Sequence, residues 1–216
     1  EVVGNIARNP ITGRLEVRGV TRDITDRAAL EAMFAGLRAR GARLDVLVNS
    51  AGICDENEPE DIDTFRRVIE VNLHGSHLVT ALGLGLMPGP GRILQLSSIL
   101  GRAGKVRNSG YCASKHAIVG MTKALALDLA PLKITVNAIL PAWVDTPMLR
   151  GELARQAAMS GQDEAAIQRT AKRQLPLKRF IDPAEIAALA CFLASPEAAG
   201  ITAQALVVDG GAALGM

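Results

Sequence analysis

Tyr111 and Lys115, in Tyr111-Cys112-Ala113-Ser114-Lys115, are the residues of this sequence best suited to do chemistry together. On a helix, a spacing of four puts both heads on one face. A phenol has an ordinary pKa near ~10, too high for acid–base work at neutral pH. A cation held one turn away favours the phenolate and lowers that value. Ser98, in Leu96-Ser97-Ser98-Ile99-Leu100-Gly101, adds a hydroxyl that, brought alongside, holds an oxygen as it gains or loses a proton. These groups are equipped to move a proton on a carbonyl or alcohol oxygen while a hydride moves on its carbon.

Something must bring Ser98 to Tyr111, and the hydrophobic pattern says what. Short Val/Ile/Leu runs at 44–48, 93–96, 134–139 and 205–208 read as strands. Helix-period segments alternate with them, at 27–40, 62–86, 111–130 and 183–194. Thr25 or Asp26 caps the first, and Pro183 opens the last. Strands without polar alternation, separated by helices, imply a parallel sheet covered on both faces. Such sheets bind ligands beyond the carboxyl ends of their strands. Asn49, Ser98 and Pro141 all fall just after predicted strands. Residues 146–180 are the longest stretch without a strand, rich in Ala, Gln, Arg and Glu, and read as helical.

The gross numbers narrow the class. At 216 residues the chain suits one domain with a sizeable core. Hydrophobic residues make up 49% but aromatics only 3%, so the interior is aliphatic. A net charge of +2, with both signs dispersed, gives no nucleic-acid face. No apolar stretch reaches the ~18 residues of a membrane span. Cys54, Cys112 and Cys191 are widely spaced and form no CxxC, which reads as reduced cytoplasmic thiols. His74 and His77 stand at a metal-ligand spacing, but no third ligand is near, and a metal is not expected.

In order and spacing, Asn49-Ser50-Ala51-Gly52, Asn72 in Val71-Asn72-Leu73, Ser98, Tyr111-Cys112-Ala113-Ser114-Lys115 and Pro141-Ala142-Trp143-Val144-Asp145-Thr146-Pro147 resemble the short-chain dehydrogenase/reductase family. The resemblance runs from about Asp23 to Gly211. Within the family it is nearest to the 3-oxoacyl reductase and the hydroxy-acid or polyol dehydrogenase subgroups. It implies a doubly wound, Rossmann-like α/β domain spanning 1–216, with 146–180 as a substrate flap. It implies NAD or NADP as cofactor, a small ketone or alcohol as substrate, and a homo-oligomer, usually a tetramer; the dispersed charge and short apolar runs already argue for no nucleic-acid and no membrane partner. The roles carried over are Tyr111 as general acid in reduction and base in oxidation, and Lys115 as the group that lowers its pKa and holds the nicotinamide ribose. Ser98 would hold the substrate oxygen, and Asn72 would brace a helix kink and a water leading from Lys115 to solvent. Asp23 and Ile24 would meet the adenine. Asn49, Ala51 and Gly52 would form the turn beside the adenosine ribose, and Pro141, Val144 and Thr146 would hold the carboxamide. Trp143, Met148 and Leu149 would line the substrate pocket or belong to the core.

The sequence departs from the family at its start. The family's glycine-rich turn, which brings backbone N–H groups to a pyrophosphate, is not found. Thr12-Gly13 lacks its spacing. A strand–helix–strand unit needs roughly 30 residues, more than precede Asp23. The first strands are therefore expected to be absent or curtailed, with omission of an N-terminal part favoured over a minimal variant. Residues 2–9 would be the end of the second strand, with Arg8 suited to a 2′-phosphate. Ala142, where the family usually has Gly, would press toward the nicotinamide. The missing turn supports one rival, a catalytically silent scaffold or regulatory subunit that kept the fold. A serine hydrolase is a distant third, since there is no G-x-S-x-G elbow.

Overall fold

The computed structural model describes residues 22–212 in full and 2–8 and 15–21 by their backbone. Strands β3 (Val46–Asn49), β4 (Gly91–Leu96), β5 (Ile134–Pro141) and β6 (Ala205–Val208) form a parallel sheet in the order β3-β4-β5-β6. Helix α1 (Arg27–Ala39) precedes β3, and helices separate the strands in sequence: α2 (Ile62–Ile69), α3 (Ser76–Leu84), α4 (Ser109–Leu129), α5 (Pro147–Ser160), α6 (Glu164–Gln174) and α7 (Pro183–Ala194).

Neighbouring residues of β4 point to opposite faces, as the pleat requires. Ile93 joins Met87, Val136 and the α4 residues Ala126 and Leu129 in one core cluster. Leu94 joins Ile139 and Leu193 of α7 in another. The sheet is thus covered on both faces, the doubly wound Rossmann-like arrangement expected from its apolar strands. β5 is buried through seven of its eight residues, which places it at the centre of the molecule.

The N-terminal residues depart from expectation. β1 (Val2–Arg8) pairs antiparallel with β2 (Leu15–Thr21) in a sheet of two strands. Residues 2–8 are therefore not the end of a strand in the parallel sheet. A connection as short as 9–14 permits a hairpin but not the crossover that a parallel pair needs. The Arg8 side chain and Thr12-Gly13 lie outside the described residues.

Residues 146–180 form a helical hairpin with a core of its own. Leu149, Leu153 and Ala157 of α5 pack on Ile167 and Ala171 of α6, and Leu175 and Phe180 close the cluster. Its two ends are pinned together. The Ile181 N–H donates to the Trp143 carbonyl at 2.8 Å, and the Asp145 N–H donates to the Ile181 carbonyl at 2.9 Å. The Trp143 and Phe180 rings stack beside this clasp, 6.2 Å apart at their centroids.

Candidate active site

Helix α4 carries Tyr111 and Lys115, and its buried face fixes their direction. Ser114, Lys115, Ile118, Thr122, Ala126 and Leu129 recur at helical spacing against the sheet. Lys115 is only 4% exposed. Its Nζ donates to the Leu96 carbonyl at 2.8 Å and lies 5.5 Å from the centroid of the Tyr111 ring. The Ser97 hydroxyl donates to the Lys115 carbonyl at 2.8 Å, tying the helix to the end of β4. Gly101 makes this approach possible, because a Cβ there would fall 2.8 Å from the same Lys115 carbonyl oxygen.

Ser98 stands two residues past the end of β4. Its hydroxyl accepts from the Leu100 N–H at 3.1 Å and is hydrogen-bonded to the Tyr111 phenol. The expected trio therefore meets. One expected consequence does not. Burial, first, and the nearby Cys54 push the Tyr111 phenol above its ordinary pKa of 10.0, and the Ser98 hydrogen bond offsets only part of this. Burial also lowers Lys115, from 10.5 to about 8. The sequence argument counted a cation one turn away but not the removal of both groups from water, which here is the larger effect.

Asn72 is fully buried, within a π-helical turn, Glu70–Gly75, that joins α2 to α3. Such turns mark local irregularity, often at functional sites. The Asn72 Oδ1 accepts from the Ile53 N–H at 2.8 Å. Its Nδ2 donates to the Ile53 carbonyl at 2.9 Å and to the Ser114 hydroxyl at 3.1 Å. Asn72 thus fastens the loop after β3 to α4, one residue from Lys115.

A cavity of about 730 Å³ opens beyond the carboxyl ends of the strands. Ser98, Tyr111, Lys115, Gly52, Pro141, Val144 and Thr146 line it, as do Ala142, Trp143, Met148 and Leu149. Leu149 also belongs to the core of the helical hairpin, and Trp143 packs against it. Asp23, Ile24, Asn49, Ala51 and Asn72 are not among the lining residues. Asp23 accepts from the Thr25 N–H at 2.9 Å and hydroxyl at 2.8 Å, which holds its carboxyl below the ordinary carboxylate range. Asp26, not Thr25, caps α1. Ile24 is buried against Gly75. Asn49 donates to the Thr80 hydroxyl at 2.8 Å. Ala51 is half-buried in the loop after β3. The Thr146 hydroxyl caps α5 and donates to the Val144 carbonyl at 3.3 Å.

Cys54, Lys105 and Glu152 also line the cavity and were not among the expected site residues. Cys54 was detectable from its place in the loop after β3, two residues past Gly52. Lys105 and Glu152 form an ion pair across 47 positions of sequence, and no local pattern announces it. His74 pairs with Glu70 at 2.7 Å, and no metal-binding cluster occurs among the described residues.

The lining residues suit the nicotinamide half of NAD(P). The cavity lies where such sheets take ligands. Gly52 keeps room above the cation, since a Cβ there would sit 3.5 Å from Lys115 Nζ and 3.1 Å from Asn72 Oδ1. No glycine-rich turn for a pyrophosphate occurs among the described residues.

Comparisons with known proteins agree with this geometry. The family model described as enoyl-(acyl carrier protein) reductase matches residues 6–213. A Streptomyces virginiae protein, named for ketoacyl reduction in the monensin polyketide synthase, is 39% identical over 91% of this chain and 78% of its own length. The oxidoreductase UcpA of Salmonella typhimurium is 38% identical over 90% of this chain and 75% of its own. Among solved structures, an actinorhodin polyketide ketoreductase variant with NADPH superposes with a TM-score of 0.83 at 36% identity, covering 89% of this chain and 76% of that one. The aldohexose dehydrogenase of Thermoplasma acidophilum gives 0.83 at 32% identity, covering 90% and 78%. The chain belongs to the short-chain dehydrogenase/reductase family of NAD(P)-dependent oxidoreductases.

Proposed function

We propose that this protein interconverts a ketone and a secondary alcohol, with Ser98, Tyr111, Lys115 and Asn72 as its working residues. The observation that carries this reading is the meeting of Ser98, Tyr111 and Lys115 at one cavity. When bound, the nicotinamide supplies or takes the hydride. Ser98 holds the carbonyl oxygen, and Tyr111 gives that oxygen its proton as the carbon is reduced. Lys115, positively charged through most of the neutral range, stabilises the phenolate left behind. With the phenol raised and Lys115 near 8, the resting pair at neutral pH is a neutral phenol beside a cation. That is the protonation state that proton donation during reduction requires. Asn72 is a positioning residue, its amide committed to Ile53 and Ser114.

The remaining assignments follow from the same reading. The domain spans 1–216, and 146–180 is a flap that moves as a unit, since it carries its own core and is clasped at its ends. Asp23, Ile24, Asn49, Ala51 and Gly52 serve the adenosine half, and Pro141, Val144 and Thr146 the carboxamide. The substrate is of the kind the relatives' names suggest, a ketoacyl chain on the ketone side or a sugar-like polyol on the alcohol side. The protein works in the cytoplasm as a homotetramer. No helix among the described residues is long and apolar enough to cross a membrane.

The test is ketone-dependent oxidation of NADH and NADPH by the purified chain, with cofactor binding followed by nicotinamide fluorescence. Binding with turnover of a ketone supports the reading. Binding without turnover of any ketone or alcohol favours a silent scaffold.

A further inference from the structure

Three charged side chains line the cavity among the described residues: Lys115, Lys105 and Glu152. Lys115 is held by the Leu96 carbonyl beneath the Tyr111 ring. Lys105 and Glu152 hold each other. Lys105 stands in the loop leading into α4, and Glu152 on α5, the first helix of the hairpin. The pair therefore closes the seam between the loop after Ser98 and the flap. The side chains are 34% and 23% exposed, so each charge is drawn partly out of water and depends on its partner. Both reach the cavity interior. Burial is the main force pushing the Cys54 thiol up to about 11, but Glu152 raises it further and Lys105 opposes that. Arg155 and Asp55 act on the same thiol more weakly.

We propose that the Lys105–Glu152 pair is a charge filter. By cancelling each other on the cavity wall, the two residues make the cavity select uncharged substrates, and either residue left alone would recruit the opposite charge. This rests on the reading of the cavity as a substrate site, and it makes the substrate an uncharged ketone or alcohol rather than a carboxylate or phosphate. The pair also holds the flap against the loop.

Cys54 allows a test that needs neither cofactor nor turnover. Iodoacetamide and iodoacetate are nearly the same size and differ in charge. The ratio of their rates at Cys54, followed by peptide mass mapping, cancels the thiolate fraction within each variant. Glu152→Gln should raise the acetate-to-amide ratio about threefold or more, and Lys105→Met should lower it as much. The swapped double variant, Lys105→Glu with Glu152→Lys, should return it close to the starting value and guards against a folding effect. An unchanged ratio in both single variants would overturn the filter. A second arm compares kcat/KM for ethyl 3-oxobutanoate and for 3-oxobutanoate, the neutral ester and its carboxylate. Glu152→Gln should shift preference toward the carboxylate, and a shift at Cys54 with none here would overturn the claim about substrate. If the unaltered protein binds NADPH but turns over no ketone or alcohol while the Cys54 ratios move as expected, the filter stands and the reductase reading fails.

Discussion

Lys115 offers the most quantitative test of the site. Burial lowers its pKa from 10.5 to about 8. At about 1.4 kcal/mol for each pH unit, this gap amounts to about 3 kcal/mol. The sign follows from linkage. The unfolded chain holds the Lys115 proton more tightly than the folded one, so between pH 8 and 10.5 the unfolded state binds more protons and stability rises with pH. Below pH 8 the folded protein carries the full penalty of a buried ammonium. Lys115→Met removes that titration. It also leaves the Leu96 carbonyl without its donor, but that loss is a constant offset across the window. Measured by urea unfolding, with a shared m-value checking two-state behaviour, the wild type should gain on the variant by about 2–3 kcal/mol between pH ~7 and ~10. A difference that stays flat, or shrinks in the opposite direction, would refute the claim that burial governs this lysine.

Other consequences follow from the same contacts. Asn72→Ala should cost about 2–4 kcal/mol, because it strands the Ile53 N–H and C=O in the interior; an unchanged thermal midpoint would remove its bracing role. Gly101→Ala places a Cβ 2.6 Å from the Ser97 hydroxyl and 2.8 Å from the Lys115 carbonyl. It should cost about 1–3 kcal/mol and depress turnover by shifting α4 against Ser98; full stability with full activity would contradict that close approach. Sedimentation at micromolar concentration should give a symmetric oligomer, with Leu127 of α4, now 77% exposed, in reach of a neighbouring copy. A particle with the mass of one chain would count against it.

What the sequence disclosed was what repeats locally. Tyr111 and Lys115 share a face because the helix has its own period, and Ser98 lies at the cavity because apolar runs end where ligands bind. The kink expected at Asn72 came from the family resemblance, and the hydrophobic pattern held no sign of the π-helical turn, since one inserted residue barely alters it. The rise of the Tyr111 pKa was not legible at all. Sequence names a neighbour but not how much water the fold removes. The Lys105–Glu152 pair is closed by tertiary packing alone, between a loop and a helix whose meeting no periodicity encodes. Trp143 had been expected either in the pocket or in the core, and it serves both, lining the cavity while stacking on Phe180.

The central claim is that the Tyr111 hydroxyl moves the proton. Its most direct test is Tyr111→Phe, with turnover of a reducible ketone and NADPH affinity measured on the same preparation. The phenol acts in the transition state and not in holding the cofactor, so kcat should fall by about a hundredfold or more while NADPH affinity changes less than about threefold. Near-normal turnover in the variant would contradict the account.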